Sequence, residues 1–243
     1  MFIINFIIFL VLCILGLSFL IKNSKDFGKI IQLNVNKRTI SSFSIMLIMG
    51  AIAILSILFI NIKLELIEIL SKRGISVLLK NIPNEFITAL GEELFIRVFV
   101  FIGILKLKDN KLVALIISSL IFCLLHSPET PVRFISYFLA GLMYGISFLM
   151  FKTIWASTGL HFSWNYFQGA VCGFPVGSQL SNSYLNINIT DSISWNGGEY
   201  GPEGSILGIV ARILIILLVI LISSLLKKQL NTTEFLRMKH QTV

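Results

Sequence analysis

Two adjacent carboxylates, Glu92 and Glu93, sit inside an apolar run that reads Leu90-Gly-Glu-Glu-Leu-Phe-Ile-Arg97-Val-Phe-Val. At the centre of a membrane-spanning helix one carboxylate costs about 2.5–3.5 kcal/mol even on the lenient insertion scale, so a pair demands a reason. Arg97 follows Glu93 by four residues, which puts the two on one helix face and allows an internal ion pair. Glu92 lies about 100° away on a helix of 3.6 residues per turn. It is therefore the carboxylate left free for other work.

Two more apolar runs carry ionisable or amide groups. His126 closes one, four residues after Phe122 and just before Ser127-Pro128-Glu129-Thr130-Pro131. His161 and Asn165 lie in another, also four apart and so on one face. Each taken alone reads as an interfacial anchor or a polar clasp between helices. Together they offer the groups that peptide hydrolysis uses. A carboxylate can take a proton from water, and an imidazole can share that task or protonate a leaving amine. A second imidazole and an amide can hydrogen-bond a developing oxyanion. An alternative set, Glu92, His126 and His161 around a zinc ion whose bound water attacks, uses permitted ligand types. It matches no local zinc motif, because the three would come from three helices.

The elements that must position these groups follow from composition. The chain is 56% hydrophobic and 13% charged, with a mean hydropathy of +0.89. That is the profile of an all-α polytopic transmembrane bundle rather than of a soluble domain. About seven spans are expected, near residues 1–21, 41–61, 84–105, 111–128, 132–151, 153–172 and 205–226, with the catalytic core in spans 3–6. The first is read as a span rather than a cleaved signal, since it lacks a basic start and a small-residue cleavage site. The domains expected are 1–83 (N-terminal spans and an amphipathic linker), 84–172 (a catalytic four-helix core), 173–204 (a polar loop) and 205–243 (a final span and basic tail).

Residues 62–82 mix charge with apolar residues and are expected to form an interfacial amphipathic helix. Gly141 and Gly145 have the small-xxx-small spacing of a helix-packing face. The Gly-, Asn- and Ser-rich stretch 173–204 reads as a solvated connection.

The net charge of +8 does not signal a nucleic-acid partner. Lys and Arg gather in short segments between apolar runs: five in 22–40, three in 106–111, one at 152 and four in 227–243. By the positive-inside rule these face the cytoplasm, leaving the N-terminus outside. Cys13, Cys123 and Cys172 show no paired spacing and read as core thiols. No internal repeat is evident, which leaves a repeat-built transporter without support.

Glu92-Glu93-x-x-x-Arg97, Phe122-x-x-x-His126 and His161-x-x-x-Asn165, in this order in successive apolar segments, resemble the three motifs of the CPBP family. This is the CAAX-protease and bacteriocin-processing or Abi family, which includes the type II CAAX prenyl endopeptidases. The resemblance extends over about residues 84–208. It takes in Trp155-x-x-x-Gly159-x-His161-Phe-x-Trp164-Asn165 and the glycine-rich Gly197-Gly-Glu-Tyr-Gly-Pro-Glu-Gly204. It implies an intramembrane endopeptidase in which Glu92 is the general base and His126 assists it. His161 and Asn165 would form the oxyanion site, with Glu93, Arg97 and Phe122 supporting. The family is described both as a metalloprotease and as a metal-free glutamate protease, so zinc stays open.

The composition suggests a bacterial chain in the plasma membrane. The expected substrate is a membrane-associated peptide or protein, in bacteriocin or peptide processing or in self-immunity. The rival reading is a non-catalytic membrane binding or immunity protein that uses the same polar residues as helix clasps.

Overall fold

The computed structural model describes residues 33–180, 182–189 and 193–240, and side chains up to Leu226. The expected first span, residues 1–21, lies outside the described residues, as does Cys13.

Helix α1 (Lys37–Lys63) opens on a capping box. The Asn36 side chain accepts from the Arg38 and Thr39 N–H groups, and the Thr39 hydroxyl oxygen accepts from the Asn36 N–H. After it comes not the expected amphipathic helix but strand β1 (Ile67–Lys72). It pairs antiparallel with β2 (Leu185–Ile189), with Ile67 opposite Ile189 and Lys72 opposite Leu185. The local pattern explains the difference. Leu66-Ile67-Glu68-Ile69 and Leu185-Asn-Ile-Asn-Ile189 are rich in β-branched residues, and the second alternates with the strand period of two. A partner more than a hundred residues downstream makes the strand state worthwhile.

Helix α2 (Ser76–Glu93) runs directly into a π-helical segment, Leu94–Phe101, and then α3 (Ile102–Lys108), which ends at Asp109 in the left-handed region with φ of 46°. Asn110 caps α4 (Lys111–Leu125), and Thr130 caps α5 (Pro131–Phe151), where Pro131 occupies the first turn. Thr153 caps α6 (Ile154–Asn165), which continues into a second π-helical segment, Tyr166–Val171. Short helix α7 (Ile193–Asn196), a 3₁₀ segment (Gly198–Gly204) and α8 (Ile206–His240) complete the described chain.

The fold is mostly helical. Among the described residues three segments are long and apolar enough to cross a membrane: Lys37–Lys63, Pro131–Phe151 and Gly198–Leu226. They match the expected second, fifth and seventh spans. The expected third, fourth and sixth are helical as well but are not among these three, and α4 has only 15 residues.

Helix α6 is the axis of the bundle. Every residue from Ala156 to Asn165 is buried. A helix buried all round must be covered on every side, and α1, α2 and α5 all pack on it. Small residues let them close in: the Ser163 hydroxyl donates to the Leu47 carbonyl of α1 at 2.5 Å. Helices α4 and α5 meet as the glycine spacing implied. A Cβ on Gly141 would sit 2.7 Å from Ser119 Cα, and one on Gly145 would sit 2.4 Å from Leu115 Cδ1.

The 173–204 stretch, expected as a solvated connection, carries β2, α7 and the 3₁₀ segment. Its residues Gly201–Gly204 are buried against the helices. Cys123 and Cys172 are buried free thiols, as expected.

Candidate active site

The last turn of α2 presents Glu92 and Glu93, and the π-helical segment starts at the next residue. The second π-helical segment likewise begins directly after Asn165. Such segments are rare and are frequent at functional sites. They mark the two helices that face each other across this centre.

Glu93 is fully buried and tied on both oxygens. Arg97 Nε donates to Oε2 at 2.9 Å, and His161 Nδ1–H donates to Oε1 at 3.2 Å. The Arg97 guanidinium also donates to the Gly141 carbonyl at 3.2 Å, joining α5 to the pair. The i,i+4 ion pair expected from spacing is present. The link from Glu93 to His161 is an addition that helix geometry on one element does not reveal.

Glu92 is 29% exposed at its side chain, and its Oε2 has no hydrogen-bond partner among the described residues. Two imidazole nitrogens face that oxygen: His126 Nε2 at 3.6 Å and His161 Nε2 at 3.7 Å. Both separations exceed a direct hydrogen bond. Both imidazoles nevertheless lie within ion-pair range of this oxygen.

The rings are aimed by their other nitrogens. His126 ends α4 and donates Nδ1–H to the Phe122 carbonyl at 2.8 Å, so a neutral ring turns the Nε2 lone pair toward Glu92. Phe122 holds the site with its ring too, 4.4 Å from the His126 ring and 5.8 Å from the His161 ring. That gives the Phe-x-x-x-His spacing a structural meaning. With Nδ1–H given to Glu93, His161 can donate through Nε2 only as the imidazolium, and the Glu92 and Glu93 carboxylates supply its counter-charge.

Asn165 sits one turn beyond His161 and is 8% exposed. Its side-chain amide makes no hydrogen bond among the described residues. The structure thus brings Glu92, His126 and His161 around one oxygen, sets Glu93 and Arg97 behind them, and leaves Asn165 uncommitted on the same helix face as His161.

Several neighbours were not singled out from sequence. Tyr144 stacks on His161, with ring centroids 4.3 Å apart and planes 12° apart. Tyr137 lies 4.9 Å from the His126 ring. Their signal was present, since Tyr137, Gly141 and Tyr144 fall at i, i+4 and i+7 and share one face of α5. Arg212 of α8 is buried with its guanidinium 4.1 Å over the Trp164 ring. As the only charge in the final apolar run, it was as anomalous in sequence as the glutamates.

The donor types would suit zinc, but among the described residues no group of three or more His, Cys, Asp or Glu side chains, Glu92, His126 and His161 included, is arranged so as to hold a metal ion.

Apolar helices of spanning length around a cluster of carboxylates and imidazoles, with Glu93 and His161 buried, make this a membrane protein with an ionisable centre. Residues 74–167 match the family described as type II CAAX prenyl endopeptidase Rce1-like. The matched segment contains every residue of the constellation, and the family it resembles is one of endopeptidases. No curated protein and no solved structure matches the chain.

Proposed function

We propose that this protein is an intramembrane endopeptidase that hydrolyses membrane-associated peptides or proteins with water activated by Glu92 and His126. The observation that carries the reading is the Glu92 carboxylate, partly exposed, with an Oε2 that has no hydrogen-bond partner among the described residues and that two imidazole nitrogens face at 3.6 and 3.7 Å.

In the proposed reaction a water bound by the Glu92 carboxylate and His126 loses a proton to Glu92 as its oxygen attacks the scissile carbonyl carbon. Negative charge collects on the carbonyl oxygen. The Asn165 amide and His161 Nε2–H, as imidazolium, donate to it. Glu93 holds His161 in register throughout, and Arg97 neutralises Glu93 so that this second carboxylate does not compete for the proton. The carbon–nitrogen bond then breaks, and the proton held by Glu92 passes, directly or through His126, to the leaving amine. The products are a new carboxylate and a free amine.

The chemistry of the centre suits a substrate delivered at or within the membrane. A precursor of a small secreted peptide such as a bacteriocin fits this setting, as does a peptide cleared in self-immunity, in a multi-pass protein of a bacterial plasma membrane. The test compares the membrane peptides of cells carrying the wild-type protein with those of cells carrying Glu92→Gln. Precursors should accumulate in the variant. Identical peptide profiles, with purified Glu92→Gln cleaving as fast as wild type, would overturn the proposal.

A further inference from the structure

Among the described residues the His126 ring makes one hydrogen bond, from Nδ1–H to the Phe122 carbonyl. Apart from the facing Glu92 carboxylate at 3.6 Å, its neighbours are rings, with Phe122 at 4.4 Å and Tyr137 at 4.9 Å. Such ring contacts are weakly directional. A base that must act beside Glu92, 3.6 Å away, needs a firmer wall.

Tyr137 supplies one, because it is itself tied. Its hydroxyl donates to Glu203 Oε2 at 3.0 Å and accepts from the Arg133 guanidinium at 3.0 Å. Glu203 is 6% exposed and belongs to the glycine-rich 3₁₀ segment, sixty-six residues further along the chain. The same Oε2 accepts the Gly177 N–H at 2.8 Å. A second attachment reaches the turn that follows His126. Tyr200 donates its hydroxyl to Glu129 Oε2 at 3.0 Å, and its ring lies 4.2 Å from the Arg133 guanidinium carbon. Arg133 bonds the same Glu129 oxygen at 3.1 Å, which closes the network. The segment Gly197–Gly204 is therefore fastened at two points to the chain that follows His126, at Glu129 in the turn and at Tyr137 on α5.

We infer that Gly197–Gly204 is a strap that positions His126, with Glu203 and Tyr137 as positioning residues acting through the His126 ring. The inference deepens the reading of Glu92 and His126 as the water-activating pair and rests on it for its effect on rate. A misplacement of about 1 Å can cost about 10² in rate. Tyr137→Phe keeps the ring wall and removes the tie, and Glu203→Gln keeps the shape and removes the charge. Each should lower kcat by roughly 10–10² with KM near its wild-type value.

The second readout does not depend on turnover. Carbethoxylation by diethyl pyrocarbonate, resolved by peptide mass spectrometry in a Glu92→Gln background, reports access to His126 Nε2. Tyr137→Phe and Glu203→Gln should each change the rate at His126 several-fold and leave that of His161 unaltered. An unchanged His126 rate in both variants overturns the strap, as does an altered rate with wild-type kcat. An altered rate in a protein that cleaves nothing would sink the protease reading while the positioning role stands. Both substitutions are near-isosteric, and a thermal melt beside wild type separates a moved ring from a lost fold.

Discussion

His161 joins the two glutamates: Nδ1 donates to Glu93 at 3.2 Å, while Nε2 faces Glu92 at 3.7 Å. One imidazole thus connects the paired carboxylate to the unpaired one. The neighbours in sequence have opposite surroundings, since Glu93 is hydrogen-bonded on both oxygens and Glu92 Oε2 has no hydrogen-bond partner among the described residues. Substitutions at the two positions should separate stability from activity.

Glu92→Gln should leave the melting behaviour of the detergent-solubilised protein within about 0.5 kcal/mol of wild type, because no protein hydrogen bond to Oε2 is lost. The same protein should show no measurable cleavage. Calorimetry and a peptide-accumulation assay on one preparation decide this, and a large loss of stability would show that Glu92 is a structural clasp.

Arg97→Met should destabilise by about 3–5 kcal/mol, since it strands a fully buried carboxylate. Adding Glu93→Gln to that variant should recover part of the loss, because the uncompensated charge is then gone. The double-mutant cycle measures the coupling, and additive losses would refute a buried ion pair.

Asn165→Ala removes no internal hydrogen bond of the described structure, so its melt should stay close to that of wild type. If the amide stabilises the oxyanion, kcat should fall by about 10²–10³. Steady-state kinetics on a cleaved substrate checks this, with an unchanged kcat excluding the role.

Gly141→Ala tests the helix seam. Alanine favours a helix over glycine by about 0.8–1.0 kcal/mol, yet a Cβ here would sit 2.7 Å from the Ser119 backbone. Overpacking of this kind typically costs about 1–3 kcal/mol. The variant should melt lower than wild type, and a higher melting temperature would mean that α4 and α5 do not meet at this seam.

Sequence by itself determined what lies within one helix's reach. Glutamates and histidines in apolar runs announced an ionisable centre, because charge in lipid is costly wherever the chain goes. The spacing of four between Glu93 and Arg97 specified their ion pair, and the same spacing set Phe122 under His126 and put Asn165 on the face of His161. These relations need only the 3.6-residue period. Tertiary structure decided the rest. Glu93 meets His161 across a separation of 68 residues, and Tyr137 meets Glu203 across 66. β1 became a strand only because β2 lay beside it. Such pairings depend on how helices and strands dock, and local periodicity carries no record of the partner an exposed polar group will find once the bundle closes.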